Sequence, residues 1–189
     1  MGVIGKNMEC PELLKNLSFI VFDLETNGLN PLFSTIIEIG CVEVEKGKIV
    51  NEYTTLFGGG KSSMYLVRRV HKIRDGERFG KKTFKERAES IANYFSNKVL
   101  VGHNIDKYDV PMMQSKLHEC GYNLDNIRTI DTLKIARDIG HESNTLENLS
   151  KVYGVEEGEH HRGLDDAKMT LNVLYAFAEK YPDKVKKYL

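Results

Sequence analysis

Two carboxylates follow an apolar segment near the N-terminus. Residues 19–29 read FIVFDLETNGL, so Asp23 and Glu25 come directly after four apolar residues. Residues two apart in a β-strand point to the same side, so these acids project together while Leu24 faces the opposite layer. Two adjacent carboxylates repel each other and are costly to bury unless they are paired or bound to a cation. The pair therefore predicts a hard divalent ion such as Mg²⁺ or Mn²⁺, and the alternative is a solvated strand end.

Two later stretches contribute further acids and a histidine. LVGHNIDKYDVPMM, residues 100–113, predicts a buried strand and then a helix with Asp109 at its N-terminal end, where the helix dipole favours an ionised carboxylate. HHRGLDDAKMT, residues 160–170, puts His161 in a polar loop and Asp166 in the first turn of a final helix. Neither stretch alone indicates a function. They become informative only in combination with Asp23 and Glu25.

The strands that would position these residues follow from hydrophobic periodicity. Between Leu17 and Val50, three short β-rich runs separated by turn residues predict an antiparallel meander. KVLVGH predicts a short buried strand ending at His103, and IRTIDTLKIARDI predicts another strand that runs into a helix. A meander followed by alternating helices and strands predicts an α/β or α+β sheet with helices on its faces.

Helices are predicted where apolar residues recur at helical spacing. One helix is predicted from Tyr108 to Cys120, ending near Gly121 because glycine tolerates the left-handed cap conformation. SNTLENLSKVYG predicts a short capped helix with Leu146 and Leu149 buried, and GLDDAKMTLNVLYAFAEKY predicts a long final helix. TFKERAESIANYFSN predicts a further helix with these apolar positions: Phe84, Ala88, Ile91, Ala92 and Phe95.

Composition limits the class of protein. With 189 residues, of which 41% are hydrophobic, the chain is expected to form a single domain with its own core. Cys10, Cys41 and Cys120 are odd in number and lie far apart, which argues against a disulfide framework or a zinc ribbon. The sequence lacks an apolar run long enough for a membrane span and a secretory signal, so we expect a cytoplasmic protein without a membrane partner. Lys plus Arg equals Asp plus Glu, so net charge does not indicate a polyanionic partner.

Together the motifs resemble those of the DEDDh family of 3′-to-5′ exonucleases, DnaQ-like members of the ribonuclease H-like superfamily. The D-x-E motif of that family is matched by Asp23 and Glu25. The aspartate after a strand-end HN is matched by Asp109, and the H-x-x-x-x-D motif by His161 and Asp166. The resemblance implies a ribonuclease H-like mixed sheet, with an antiparallel meander and parallel strands flanked by helices.

The resemblance covers nearly the whole chain, from about residue 18 to residue 178. His103 and Asp109 are six positions apart, which is similar to the TREX-type branch, whose members mainly degrade DNA ends. The longer spacing also makes Asp106 a rival ligand, because Asp106 and Asp109 would lie about one turn apart if the helix began early. We prefer Asp109.

The third motif permits two registers because its histidine and its aspartate are both doubled. One register pairs His160 with Asp165, and the other pairs His161 with Asp166. We prefer the second register, since the family aspartate often precedes a small residue such as Ala167. Helical spacing also puts Asp166, but not Asp165, on the apolar stripe of the final helix: Met169, Val173 and Phe177.

The resemblance implies a mechanism with two divalent ions, Mg²⁺ or Mn²⁺, about 3.5 to 4 Å apart. Asp23 would bridge the ions, and Glu25 and Asp166 would hold the ion that carries the attacking water. Asp109 would support the other side, directly or through water. His161 would be the general base, because an ordinary histidine pKa of about 6.5 suits proton removal near neutrality.

The resemblance also implies how a nucleic-acid end is held. The backbone around Glu25 and Thr26 would meet the terminal sugar, and Leu29 would wedge against the last base or simply pack in its loop. Phosphates further along the strand could meet the basic segment Arg68 to Arg87, which is otherwise a solvated surface. The expected partner is a free 3′ end, single-stranded DNA first and RNA as the alternative. A homodimer and association with a polymerase both stay open, as does a catalytically inactive binding module.

Other signals are discounted. GGGKSS resembles the end of a P-loop, but that pattern requires glycine where Thr55 stands, so we predict a loop. His71, His118 and His141 lack the spacing of a zinc site. Asp131 is expected to cap a helix, with an indirect role at the site as the alternative.

Overall fold

The computed structural model describes residues 8–59, 72–155 and 162–189. These residues form one five-stranded sheet with helices on both faces. None of the helices in these ranges combines the length and the apolar character that crossing a membrane requires.

The sheet is mixed, as predicted. Its strands, in the spatial order β3-β2-β1-β4-β5, have the following bounds: β1 Ser18–Thr26, β2 Ile36–Glu45, β3 Lys48–Leu56, β4 Val99–Gly102 and β5 Arg128–Asp131. The first three strands form the predicted antiparallel meander, and β4 and β5 add to β1 in parallel. The third strand extends past Val50 to Leu56, so the meander ends six residues later than predicted.

Five helices lie where the sequence predicts them, and two short α-helices that were not predicted, Asp75–Arg78 and Pro182–Val185, are also present in the described residues. Their bounds are α1 Asp75–Arg78, α2 Phe84–Phe95, α3 Asp109–Glu119, α4 Thr132–Ile139, α5 Leu146–Tyr153, α6 Gly163–Lys180 and α7 Pro182–Val185. Thr83 and Glu86 form a capping box at the start of α2. Gly140 ends α4 with a φ of 96°, a conformation that costs little only without a Cβ atom.

Each face of the sheet packs against its own apolar layer. Phe19 and Val21 of β1 face the cluster that includes α6, whereas Ile20 and Phe22 face the cluster built with α2 and α3. Continuing this alternation, Leu24 packs with the second cluster. The strand therefore sends Asp23 and Glu25 toward α6, as the period of two predicts.

One burial prediction is partly wrong. Leu149 is fully buried, but Leu146 is only half-buried. Leu146 is the first residue of α5 and packs against the core cluster from its margin. Helical spacing identifies the face of a helix but not how far the neighbouring elements extend over its end.

Candidate active site

Three acids converge on the α6 face of the sheet. Asp23 and Glu25 extend from the end of β1, and Asp166 extends from the first turn of α6. Each offers a carboxylate oxygen, and these oxygens all lie within 4.8 Å of one another. Glu25 and Asp166 are almost completely buried. A compact set of carboxylate oxygens is the donor set that a hard divalent cation requires.

Asp109 reaches the same edge from the other layer. It is the first residue of α3, it is buried, and its Oδ1 accepts a hydrogen bond of 3.1 Å from the backbone N–H of Leu24. Its negative charge also acts on Asp23. Asp106 is engaged elsewhere, since its carboxylate forms an ion pair with Lys134 at 2.5 Å. The geometry therefore favours Asp109 over Asp106 as the fourth acid.

The acids strongly perturb one another. Burial raises the pKa of Asp23 well above its ordinary value of 3.8, and the charges of Asp109, Asp166 and Glu25 raise it further. Burial, followed by the charge of Asp166, raises the pKa of Glu25 to about 8. Burial also raises the pKa of Asp109 to about 7, although the Leu24 N–H opposes this shift. A bound cation would stabilise the ionised form of each buried carboxylate and offset the repulsion between them, so the donor set fits a divalent metal.

Glu38 is part of this arrangement, and the sequence reasoning missed it. It lies on β2 opposite Glu25, and 1% of its surface is exposed. Its carboxylate accepts hydrogen bonds from the Arg162 guanidinium at 3.0 Å and from the Gly163 N–H at 3.0 Å. These bonds fix the start of α6, three residues before Asp166. The available signal was a charged residue inside the apolar run IIEIG, at a position that must face the core.

The backbones of β2 and α6 approach each other closely at Gly40 and Gly163. A Cβ atom on Gly40 would lie 1.9 Å from the backbone nitrogen of Leu164, and one on Gly163 would lie 2.8 Å from the nitrogen of Gly40. Only glycine permits β2 and α6 to touch in this way. Asp166 thereby comes within reach of the acids on β1.

Asp131 supports the Asp109 side. As predicted, it caps α4, accepting a hydrogen bond of 2.9 Å from the Leu133 N–H. The same oxygen accepts a bond of 2.8 Å from the Asn104 N–H, so Asp131 also holds the loop after β4. His103 is bonded to Thr132 and to the Asn144 carbonyl, which makes it a structural histidine.

Thr26 and Leu29 lie beside the acids. Thr26 ends β1 and donates its hydroxyl to the Gly28 carbonyl at 2.7 Å. Leu29 is 75% exposed. Both residues, with Tyr108 and Asp109, line a cavity of about 80 Å³. This cavity therefore borders Asp109.

Several predicted features lie outside the described residues. They are His160 and His161, the histidine His71, Arg68 at the start of the basic segment, and most of GGGKSS. Asp166 belongs to the acid cluster, whereas Asp165 is half-buried and does not. Neither His118 nor His141 belongs to this cluster, and His141 instead bonds to the Tyr153 hydroxyl at 2.7 Å.

Comparisons with known proteins agree with the motifs. The family model described as Exonuclease (RNase_T) matches residues 20–174. A "DNA polymerase III PolC-type" of Thermotoga petrophila is 30% identical over 176 residues, which is 92% of this chain but 13% of that protein. The chain thus spans about an eighth of this relative's length.

Solved structures of exonuclease I share the fold. The alignment with one of them covers 90% of this chain and 43% of the exonuclease I chain, with a TM-score of 0.83 and 16% identity. Escherichia coli exonuclease I in complex with a dT13 oligonucleotide covers 90% of this chain and 43% of its own, with a TM-score of 0.80 and 16% identity. Similarity at this identity establishes the architecture.

The TREX-type branch, inferred from the spacing of the second motif, stays a prediction. The family match includes Asp23, Glu25, Asp109 and Asp166, and it covers all five strands except the first two residues of β1. The chain belongs to the RNase_T exonuclease family, the DnaQ-like 3′-to-5′ exonucleases of the ribonuclease H-like superfamily.

Proposed function

We propose that this chain is a metal-dependent exonuclease that hydrolyses the phosphodiester bond at the 3′ end of DNA and releases nucleoside 5′-monophosphates. The observation that carries the proposal is the convergence of Asp23, Glu25 and Asp166 within 4.8 Å, with Asp109 beside them. Four acids on one buried edge are destabilising for a protein that binds no cation.

Asp23, Glu25 and Asp166 would hold two Mg²⁺ or Mn²⁺ ions, with Asp109 completing the ligand set. When bound, such ions supply an activated water and stabilise charge on the leaving oxygen. His161 would accept the proton of the attacking water, as a general base does. Glu38 and Arg162 would keep the start of α6 in place, so that Asp166 stays in position to bind metal.

Thr26 and Leu29 would hold the terminal nucleotide. Both line the cavity next to Asp109, so a sugar and base seated there would have their phosphate near the acids. The relatives favour DNA as the polymer, because they are a DNA polymerase and an exonuclease bound to a dT13 oligonucleotide. The PolC-type relatives also make a DNA polymerase a reasonable partner, with a homodimer as the alternative.

A degradation assay tests this proposal. The chain is incubated with 5′-labelled single- and double-stranded DNA and RNA in the presence of Mg²⁺, Mn²⁺ or EDTA. We expect single-stranded DNA to shorten progressively from its 3′ end, a terminal 3′-phosphate to slow the reaction, and EDTA to stop it. Cleavage of a circular single strand would indicate an endonuclease and contradict the proposal. Preferential shortening of RNA would move the substrate to the alternative class.

A further inference from the structure

A second concave surface opens next to the candidate active site. It lies between β3 and the connection from α1 to α2, and its volume is about 270 Å³. We call it the basic groove, and we define it by five side chains: Thr54, Lys81, Lys82, Arg87 and Arg162. Glu38, which lies opposite Glu25, also lines it. The groove therefore continues directly from the carboxylate edge.

The two lysines are presented by a fixed backbone. The Gly58 N–H donates to the Lys82 carbonyl at 3.0 Å, and a Cβ atom on Gly58 would lie 2.1 Å from the Lys81 carbonyl oxygen. Buried Arg78 reinforces this contact by donating to the carbonyl oxygens of Phe57 and Gly59. This backbone holds the Cα atoms of both lysines beside the groove, and their exposed, flexible side chains can turn their ammonium groups toward an anion.

The groove has an excess of positive charge. In the described part of the chain, Lys81 and Lys82 have neither a hydrogen-bond nor an ion-pair partner for their ammonium groups. Arg87 makes a long hydrogen bond of 3.4 Å to the Tyr53 hydroxyl, and its buried Nε has no partner among the described residues. Glu38 compensates Arg162, and the charge of Glu86 acts on Lys82 from outside the groove lining. Among the residues that line the groove, the cations still outnumber the acids. Such a concentration is notable in a chain whose formal net charge is zero.

We propose that the basic groove binds the phosphate backbone of the substrate strand on the 5′ side of the scissile bond. This inference rests on the proposed exonuclease function, because that function places a polyphosphate strand at the carboxylate edge. Lysines act as point charges that neutralise phosphates without reading sequence, which suits an enzyme that removes nucleotides one after another. Several cations along one groove match successive phosphates better than they match a single free phosphate ion.

The test uses a double variant, Lys81→Gln with Lys82→Gln, and the single variant Arg87→Gln. The matched control is Lys46→Gln with Lys48→Gln, which removes the same charge at the turn between β2 and β3, at the far end of these strands. Turnover is measured on a long single-stranded oligonucleotide and on a trinucleotide over a series of salt concentrations. Binding of the long strand is measured separately in EDTA by fluorescence anisotropy.

For the long strand, we expect the lysine double variant to raise KM on the order of tenfold and to lower the slope of log KM against log salt by roughly 1.4, since each phosphate contact on a single strand contributes about 0.7. Its kcat, and its kinetics on the trinucleotide, should match those of the wild type. Binding in EDTA should weaken to a similar extent, and the control variant should behave as the wild type.

The possible results separate the two proposals. If the wild type degrades DNA but the lysine variant matches the control in KM and in binding, the groove assignment is overturned and the exonuclease proposal stands. An equal loss on the trinucleotide would place these lysines at the terminal nucleotide and would also overturn the assignment. If the wild type degrades nothing, the exonuclease proposal fails, and equal binding of the strand by all variants would then reject the groove as well.

Discussion

At the residue scale, burial and repulsion between carboxylates act together on the acids of the site. Burial raises the pKa of Asp23, and the surrounding charges raise it further: Asp109, Asp166, Glu25 and Glu38. Arg162 opposes the rise in the pKa of Glu25, but this guanidinium is also bound by Glu38. Function and stability are therefore opposed at Asp23, as is common at sites that hold metal ions.

Asp23→Asn should abolish hydrolysis and leave the metal-free fold intact. The amide keeps the shape of the side chain but removes a ligand charge, and it relieves the repulsion within the cluster. We expect no detectable turnover and an unfolding free energy that equals or exceeds that of the wild type in EDTA. Turnover assays and urea denaturation measure the two quantities, with the exposed Asp125→Asn as the control. Undiminished turnover would refute the assignment of Asp23 as a ligand.

His161→Ala tests the register of the third motif. A general base contributes about 10² to 10⁴ in rate, so turnover should fall by a factor in that range while metal and substrate binding persist. The histidine limb of the pH–rate profile, measured over roughly pH 5.5 to 8, should also flatten. His160→Ala is the matched control and should change little. If His160→Ala proves to be the impaired variant, the register shifts by one and Asp165 replaces Asp166 in the proposed ligand set.

At the element scale, the contact between β2 and α6 positions the third acid. Gly40 and Gly163 allow the two backbones to touch, and Glu38 bonds to the first N–H of α6. The side chain of Asp166 can reach Asp23 only because the helix starts at this point. The two glycines set the distance between the backbones of β2 and α6, and Glu38 sets the position of the first residue of α6.

Gly40→Ala should separate these elements. The new methyl group would clash with the backbone of Leu164, which cannot move aside as the end of a flexible side chain can. We expect a loss of about 1 to 3 kcal/mol in unfolding free energy, because overpacking forces the backbone to shift. Turnover should also fall strongly, because the shift would move Asp166 away from the acids on β1. Gly76→Ala is the control, because a Cβ atom there meets nothing within 4 Å. If both variants equal the wild type in stability and turnover, the β2–α6 contact does not position the site.

At the scale of the whole molecule, the site links stability to pH and to metal. The pKa of Glu25 rises from its ordinary value of 4.5 to about 8, and that of Asp109 from 3.8 to about 7. At a pH between the ordinary and the raised pKa of either group, that carboxyl binds more protons in the folded protein than in the unfolded chain. The contribution of these two carboxyls to the free energy of unfolding therefore falls as pH rises, which is opposite to the behaviour of a carboxylate that is paired with a cation.

Urea denaturation in EDTA should show this fall in stability between about pH 4.5 and pH 8. Saturating Mg²⁺ or Mn²⁺ should oppose it, because a ligand that binds only the folded state stabilises that state and competes with protons for the carboxylates. Asp23→Asn should weaken both the pH dependence and the stabilisation by metal. Stability that rises with pH in EDTA would contradict the assigned electrostatics.

The sequence by itself determined the elements and the type of chemistry. Alternation along β1 predicted that Asp23 and Glu25 share a face, and apolar spacing predicted α2 and α6, because these signals depend on near neighbours in the chain. Tertiary structure decided which acids meet. The bond from Gly163 to Glu38 joins residues 125 positions apart, and no local pattern encodes such a contact. Burial of Leu146, the role of Glu38 and the basic groove likewise depend on how distant elements pack, since a side chain's surroundings are completed only when the sheet and its helices come together.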